Sequence, residues 1–284
     1  MHQAEEIRIE AGTLTLAART WGRPEDRPVM ALHGWLDNAA SFDALAPLLP
    51  GVHLVALDLP GHGGSDHRPP GTPYHLIDYV ADVRAAADAF GWSRFTLLGH
   101  SLGGGIATLM AGALPERIDR LALIEALGPL TASASDAPEY LARALAQERP
   151  ATAGAPRAHP DLERMVEARR SAGGMSAAAA RRLVERGTRS TPEGFSWRSD
   201  PRLRDPSRQY LTESQVLAYL KAIRAPVSLV VAEEGLIPID HPGFQRRREA
   251  VAELQVDRLP GHHHLHLDDP EPVAARLGDF LRGA

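Results

Sequence analysis

The pentapeptide Gly99-His100-Ser101-Leu102-Gly103 stands directly behind the apolar run Phe95-Thr96-Leu97-Leu98. A serine bracketed by glycines, where a strand turns into a helix, is the arrangement of a nucleophile elbow. The serine sits there at a strained backbone angle, and bulky neighbours would clash in so tight a turn. The turn lifts the Ser101 hydroxyl clear of the sheet and aims the next backbone N–H groups at a bound carbonyl. A serine hydroxyl is a poor nucleophile at neutral pH. It needs a base beside it, and that base needs an orienting acid. Four histidines crowd one stretch near the C-terminus: His262, His263, His264 and His266. Carboxylates follow two apolar runs. Glu125 ends Leu121-Ala122-Leu123-Ile124, and Glu233, Glu234 and Asp240 follow Val227-Ser228-Leu229-Val230-Val231. A carboxylate at the tip of an apolar strand costs free energy unless it has a partner, which singles out Glu125 for a role.

Two further segments precede the elbow: Val29-Met30-Ala31-Leu32-His33-Gly34-Trp35 and Leu57-Asp58-Leu59-Pro60-Gly61-His62-Gly63-Gly64-Ser65. With the elbow and Gly261-His262-His263-His264-Leu265-His266-Leu267-Asp268-Asp269-Pro270, they resemble the α/β-hydrolase superfamily. Its members show HG-x, D-x-P-G-x-G-x-S, G-x-S-x-G and a late G-H-x-x-x-x-[DE]-x-P, in that order. From His33 to Leu130 the chain looks most like the serine hydrolase-like proteins. The resemblance covers nearly the whole chain except its middle third.

The resemblance implies an α/β-hydrolase fold, with a mostly parallel central sheet, helices on both faces and an inserted α-helical cap. It also implies a Ser-His-acid triad with Ser101 as nucleophile. In the family pattern the catalytic histidine stands seven residues before the proline, so Pro270 selects His263. His262 and His264 are the alternatives, and His262 occupies a position that is usually glycine. His266 reads as a packing or hydrogen-bonding residue. The acid departs from the common pattern, because the usual aspartate after the seventh strand aligns with Gly235. A glutamate after the sixth strand serves in some α/β-hydrolases, notably one subgroup of haloalkane dehalogenases. Glu125 is therefore the expected acid, with Glu233, Glu234 and Asp240 as alternatives. The implied oxyanion hole is the backbone N–H pair of Trp35 and Leu102. His33, Asp58 and His62 read as scaffold, and His100 as a pocket wall residue.

Composition narrows the partners. The 284 residues carry a net charge of −5, which speaks against a nucleic-acid partner. The absence of cysteine excludes disulfides, thiol chemistry and cysteine-ligated metal. Adjacent histidines on one loop point in different directions and chelate a single ion poorly, so no metal or other cofactor is expected. The polar start Met1-His2-Gln3-Ala4-Glu5-Glu6 lacks the basic and apolar regions of a signal peptide, and no uncharged apolar run reaches spanning length. A cytoplasmic protein without a membrane partner is the expectation; the oligomeric state stays open.

The elements that must hold these groups follow from the periodicity. Ile7 to Trp21 alternates around Gly12, which predicts a β-hairpin. Strands and helices then alternate: Val29–Leu32, helix Phe42–Leu49, His53–Leu57, helix Leu76–Phe90, Phe95–Leu98, helix Gly104–Leu114 and Leu121–Ile124. That rhythm predicts an α/β fold. It breaks near Gly128-Pro129 and resumes with strand Val227–Val231, helix Phe244–Leu254, strand Gln255–Leu259 and helix Pro272–Leu281. Residues 1–127 and 223–284 are thus expected to form the core, and 128–222 a helical cap. Leu162–Arg170 and Ser176–Arg186 show amphipathic spacing. The cap carries 15 basic and 11 acidic residues, a net of +4, against −9 for the rest. Some of Tyr140, Phe195, Trp197, Tyr210 and Tyr219 are expected to line an apolar pocket.

The leading expectation is a serine esterase acting on small carboxylic esters. Lactonase, carbon–carbon bond hydrolase, amidase and perhydrolase share its machinery. Dehalogenase and epoxide hydrolase chemistry needs a carboxylate at the elbow, where this chain has Ser101. A different class is a non-catalytic ligand-binding or signalling protein of the same fold. The glycines around Ser101 carry neither Gly-Lys-[Ser/Thr] nor G-x-G-x-x-G, which excludes a nucleotide-binding loop.

Overall fold

The computed structural model describes residues 4–147 and 158–283. The first three residues of the polar N-terminus and residues 148–157 of the expected cap lie outside the described residues. The chain opens with the hairpin β1 (Glu5–Ala11) and β2 (Leu14–Trp21). There follow β3 (Arg27–Leu32), β4 (Val52–Leu57), α1 (Asp78–Ala89), β5 (Phe95–His100), α2 (Leu102–Ala113) and β6 (Ile118–Ile124). An inserted segment holds α3 (Ala137–Ala146), α4 (Leu162–Gly173), α5 (Ala177–Gly187), β7 (Thr188–Thr191), β8 (Gly194–Trp197) and α6 (Glu213–Ala222). The chain then returns through β9 (Val227–Glu234), α7 (Pro242–Ala250), β10 (Leu254–His262), α8 (Leu265–Asp268) and α9 (Pro270–Arg282).

Eight strands form one sheet in the order β1-β2-β4-β3-β5-β6-β9-β10. Pairing is antiparallel at the β1-β2 and β2-β4 ladders and parallel from β4 to β10. Strands buried on both faces need apolar residues at every position, not alternate ones. The central strands are mainly apolar, with Thr96 of β5 and Ser228 of β9 as buried polar exceptions. In β3, Met30 and Leu32 enter the core on one face, while Val29 and Ala31 enter the other. Leu97 and Leu98 of β5 divide in the same way, as do Leu121 and Ala122 of β6 and Leu229 and Val230 of β9. One face is covered by Val83 of α1, Ile106 and Met110 of α2 and Leu220 of α6; the other by Val273, Leu277 and Leu281 of α9.

Two expectations need correction. The single helix at Phe42–Leu49 is instead a pair of 3₁₀ turns, Ala39–Phe42 and Ala46–Leu48. Pro47 stands at the start of the second turn, where it has no N–H to continue an α ladder. The inserted segment is not wholly helical, because β7 and β8 form an antiparallel hairpin around Pro192-Glu193. Its arms carry β-branched and aromatic residues (Thr188, Thr191, Phe195, Trp197), which suit strands. Phe195 and Trp197 pack on Met165, Val166, Leu183 and Val184, the apolar faces of α4 and α5. Val216 and Leu220 of α6 join the sheet core. The backbone of α6 runs so close to α2 that a Cβ on Gly112 would lie 2.4 Å from Tyr219 O. Among the described residues no helix is long and apolar enough to cross a membrane.

Candidate active site

Ser101 joins β5 to α2 at φ 51° and ψ −114°, a backbone conformation that L residues rarely adopt. The flanking glycines make the turn possible. A Cβ on Gly103 would stand 2.1 Å from Leu32 O, and one on Gly99 2.6 Å from Gly103 O. The neighbouring strand fixes the turn, since Ser101 N donates to Ile124 O at 3.0 Å.

The structure brings Ser101, His263 and Glu125 together from the ends of β5, β10 and β6. His263 Nε2 lies 2.9 Å from Ser101 Oγ, and Nδ1 lies 3.0 Å from Glu125 Oε2. A carboxylate only accepts, so Nδ1 carries the proton in a neutral ring. Nε2 is then left to accept from the serine hydroxyl. Glu125 is buried, at φ 53°. Its Oε1 accepts from Ala232 N and its Oε2 from Leu236 N, each at 2.8 Å. Charge-assisted bonds of this kind offset the burial of an ionised carboxylate. Gly235 leaves the room: a Cβ there would stand 2.3 Å from Glu125 Oε1 and 2.4 Å from Oε2.

The alternatives fall elsewhere. Glu233 and Asp240 are exposed, and Glu234 is exposed with His262 Nδ1 at 3.7 Å. His264 Nδ1 donates to Gly173 O of α4 at 3.1 Å, and its Nε2 faces Asp37 Oδ2 at 3.6 Å. His266 is buried, with Nε2 2.9 Å from Ser41 Oγ and its ring 5.8 Å from that of Phe42. His100, expected on a pocket wall, is wholly buried, and its Nε2 donates to the His263 carbonyl at 2.9 Å.

Trp35 and Leu102 flank the elbow. Leu102 is the first residue of α2, so its N–H has no intrahelical acceptor. Trp35 lies in the turn that Asp37 N closes on Gly34 O at 3.1 Å, and Gly103 N donates to His33 O at 3.0 Å. That bond ties the turn to the first residues of α2. The indole of Trp35 donates to Leu203 O of the inserted segment at 2.9 Å.

The scaffold residues knit the loops below the site. His33 Nε2 accepts from Leu59 N at 3.0 Å, and Asp58 accepts from Ala39 N at 2.7 Å and Gly64 N at 2.6 Å. Burial pushes His33 down to about 4, and His62 and His266 down to about 3. These rings are therefore neutral at pH 7. A cavity of about 530 Å³ is lined by Glu6, Arg19, Asp43, Arg182, Glu185 and Arg186, among others, and includes none of Ser101, His263 or Glu125. Among its charges, Arg19 pairs with Glu6 and Asp43, and Arg186 with Glu6 and with Asp58 behind the wall.

Sequence reasoning missed one group. Asp37, wholly buried, is bound by Arg169 of α4 and faces His100 and His264. The available signal was an aspartate two residues beyond Trp35, behind Leu36.

An eight-stranded, mostly parallel sheet with a serine elbow at its centre is the plan of a known class. Residues 27–270 match the family described as alpha/beta hydrolase fold, and the chain belongs to that family. Among curated proteins it is 32% identical to the serine hydrolase-like protein of Danio rerio, over 98% of this chain and 89% of the relative. Among solved structures it is similar to the hypothetical protein PA1622 of Pseudomonas aeruginosa PAO1. The TM-score is 0.92 at 45% identity, covering 99% of both chains. It is also similar to a thioesterase domain from the curacin biosynthetic pathway. There the TM-score is 0.82 at 28% identity, over 96% of this chain and 98% of that one. The protein is a hydrolase of the α/β class with serine hydrolase-like relatives.

Proposed function

We propose that this hydrolase is an esterase that cleaves small carboxylic esters through Ser101, His263 and Glu125. The observation that carries the reading is the unbroken hydrogen-bonded chain Ser101 Oγ, His263, Glu125, at 2.9 and 3.0 Å. Ser101 Oγ attacks the ester carbonyl as His263 Nε2 takes its proton. Glu125 holds the ring in the required tautomer and stabilises the imidazolium that forms. The N–H groups of Trp35 and Leu102 receive the developing oxyanion. Collapse of the tetrahedral intermediate expels the alcohol, protonated by His263. Water, deprotonated by His263, then attacks the acyl-enzyme, and the carboxylic acid leaves with Ser101 restored.

Residues 128–222 serve as the cap over this site and set the choice of substrate. Its links to the oxyanion turn support that role: Trp35 to Leu203, Asn38 Nδ2 to Leu183 O at 2.8 Å, and Asp37 to Arg169. Of the expected pocket aromatics, Phe195 and Trp197 pack within the segment, and Tyr140 and Tyr210 meet at 4.8 Å between ring centroids.

The test is turnover of p-nitrophenyl esters by wild type and Ser101→Ala, alongside labelling by a fluorophosphonate probe. Turnover and labelling that both vanish in the variant support the esterase. Labelling without turnover would move the substrate to lactones or carbon–carbon bonds. Neither signal would leave a binding protein of the same fold.

A further inference from the structure

Asp37 is a wholly buried carboxylate that the proposed chemistry does not use. The backbone N–H of Asp37 closes the turn that carries Trp35. Arg169 Nη2, from α4, binds its Oδ1. Its Oδ2 faces His264 Nε2 at 3.6 Å and His100 Nδ1 at 3.8 Å. The place of these residues in the sequence gives the cluster its meaning. His100 precedes Ser101, His264 follows His263, and Asp37 lies two residues after Trp35. One carboxylate therefore meets the chain beside Ser101, beside His263 and beside Trp35. The far sides of the rings extend the link, through His100 Nε2 to the His263 carbonyl and His264 Nδ1 to Gly173 O of α4.

Stability alone is a poor account of this cluster. Asp37 Oδ2, His100 Nδ1 and Arg169 Nε are buried without a hydrogen-bond partner in the protein. A partly satisfied polar cluster costs more than apolar packing of the same volume. Burial pushes the Asp37 carboxyl upward. His264 and the charge of Arg169 outweigh that push and hold it well below the usual carboxylate range, so a charge is kept inside the protein. The backbone has made way for it as well, since a Cβ on Gly34 would lie 2.9 Å from both Asp37 Oδ2 and His100 Nδ1.

We propose that Asp37, held by Arg169, is a positioning residue. It sets the mutual placement of the Trp35 turn, the Ser101 elbow and the His263 loop, and makes that placement depend on the seating of α4. Its effect on rate rests on the esterase reading above.

The experiment compares Asp37→Asn, Arg169→Met, Arg169→Lys and the double variant Asp37→Leu/Arg169→Met with wild type. Three quantities are read: Tm, kcat and KM on a p-nitrophenyl ester, and the downfield proton resonance of His263 Nδ1–H in its bond to Glu125. Misplaced reacting groups lose rate at saturation, so Asp37→Asn and Arg169→Met each lower kcat by about 10- to 100-fold. KM changes by less than about threefold. The resonance shifts or broadens, and Arg169→Lys recovers part of the rate. The apolar double variant matches or exceeds the wild-type Tm without regaining kcat. Recovery of kcat together with Tm in the double variant overturns the proposal. So does a fall in Tm with kcat and the resonance unmoved in the single variants. Should wild type turn over no ester, the esterase reading fails on its own. The resonance then decides the positioning role, and an unmoved signal in Asp37→Asn ends it.

Discussion

The carboxylate of Glu125 fills the space that any side chain at Gly235 would need, with its oxygens 2.3 and 2.4 Å from a Cβ built there. Only one of the two positions can therefore carry the group that faces His263. Gly235→Ala displaces the Glu125 carboxylate and lowers kcat by about tenfold or more. Glu125→Ala combined with Gly235→Asp recovers at least about tenfold over Glu125→Ala alone, by returning a carboxylate to the same space. Steady-state kinetics on one ester check both. A double variant no better than Glu125→Ala would show that the loop after β9 cannot aim an acid at His263.

Glu125 and Glu234 separate by their surroundings. Glu125→Gln loses the negative partner of His263 Nδ1, and kcat drops by about 10²- to 10⁴-fold. Glu234, exposed beside His262, contributes only a solvated charge, so Glu234→Gln changes kcat by less than about twofold. The same contrast holds for His263→Gln against His262→Gln. The reverse ranking in either pair would remove these residues from their assigned roles.

Acid should unfold the protein through its buried histidines. His33, His62 and His266 are held neutral by burial, at about 4, about 3 and about 3, below the ordinary 6.5. Below pH 6.5 the unfolded chain takes up protons that these folded rings refuse, so stability is full above that pH and falls as pH drops toward 4. Each ring contributes on the order of 2 kcal/mol of this loss by about pH 5. Thermal unfolding between pH 7.5 and 4.5 checks it. His266→Gln should flatten the slope, and an unchanged slope would assign the acid sensitivity to other groups.

Arg186 bridges the inserted segment to the core. Its guanidinium binds the buried Asp58 and reaches Glu6, and its side chain is 9% exposed. Arg186→Leu leaves the buried Asp58 without its cationic partner and costs about 3 kcal/mol. Arg182, on the same helix but exposed, lines the neighbouring cavity, and Arg182→Leu stays within about 0.5 kcal/mol. Urea denaturation of the two variants measures the difference.

Much of this was legible in the sequence because the relevant constraints are local. A strand buried on both faces must be mainly apolar, and the runs Val29–Leu32, Leu97–Leu98, Leu121–Ile124 and Leu229–Val231 of β3, β5, β6 and β9 read that way. An elbow must have glycines, and Gly99 and Gly103 stand against backbone atoms that exclude a side chain. The placements of His263 and Glu125 beside Ser101 were expected from pattern and strand order. The hairpin β7-β8 was hidden in an arginine-rich stretch where amphipathic helices surround it. The paired 3₁₀ turns were hidden because 42–49 keeps a helical apolar spacing until Pro47 interrupts it. Asp37 left a local signal, but its cluster left none. Its members come from four segments, and only tertiary packing makes Arg169 the neighbour of residue 37.

The pairing of β5 with β6 sets His100 opposite Ile124, one residue before the serine and one before the glutamate. The spacing between Ser101 and Glu125 is thus dictated by the width of a sheet ladder, which no loop length can alter. With Glu125 directly behind β6 and facing His263, the stretch from Ile237 to His241 has no carboxylate to deliver to that ring, and its length is free of the ladder.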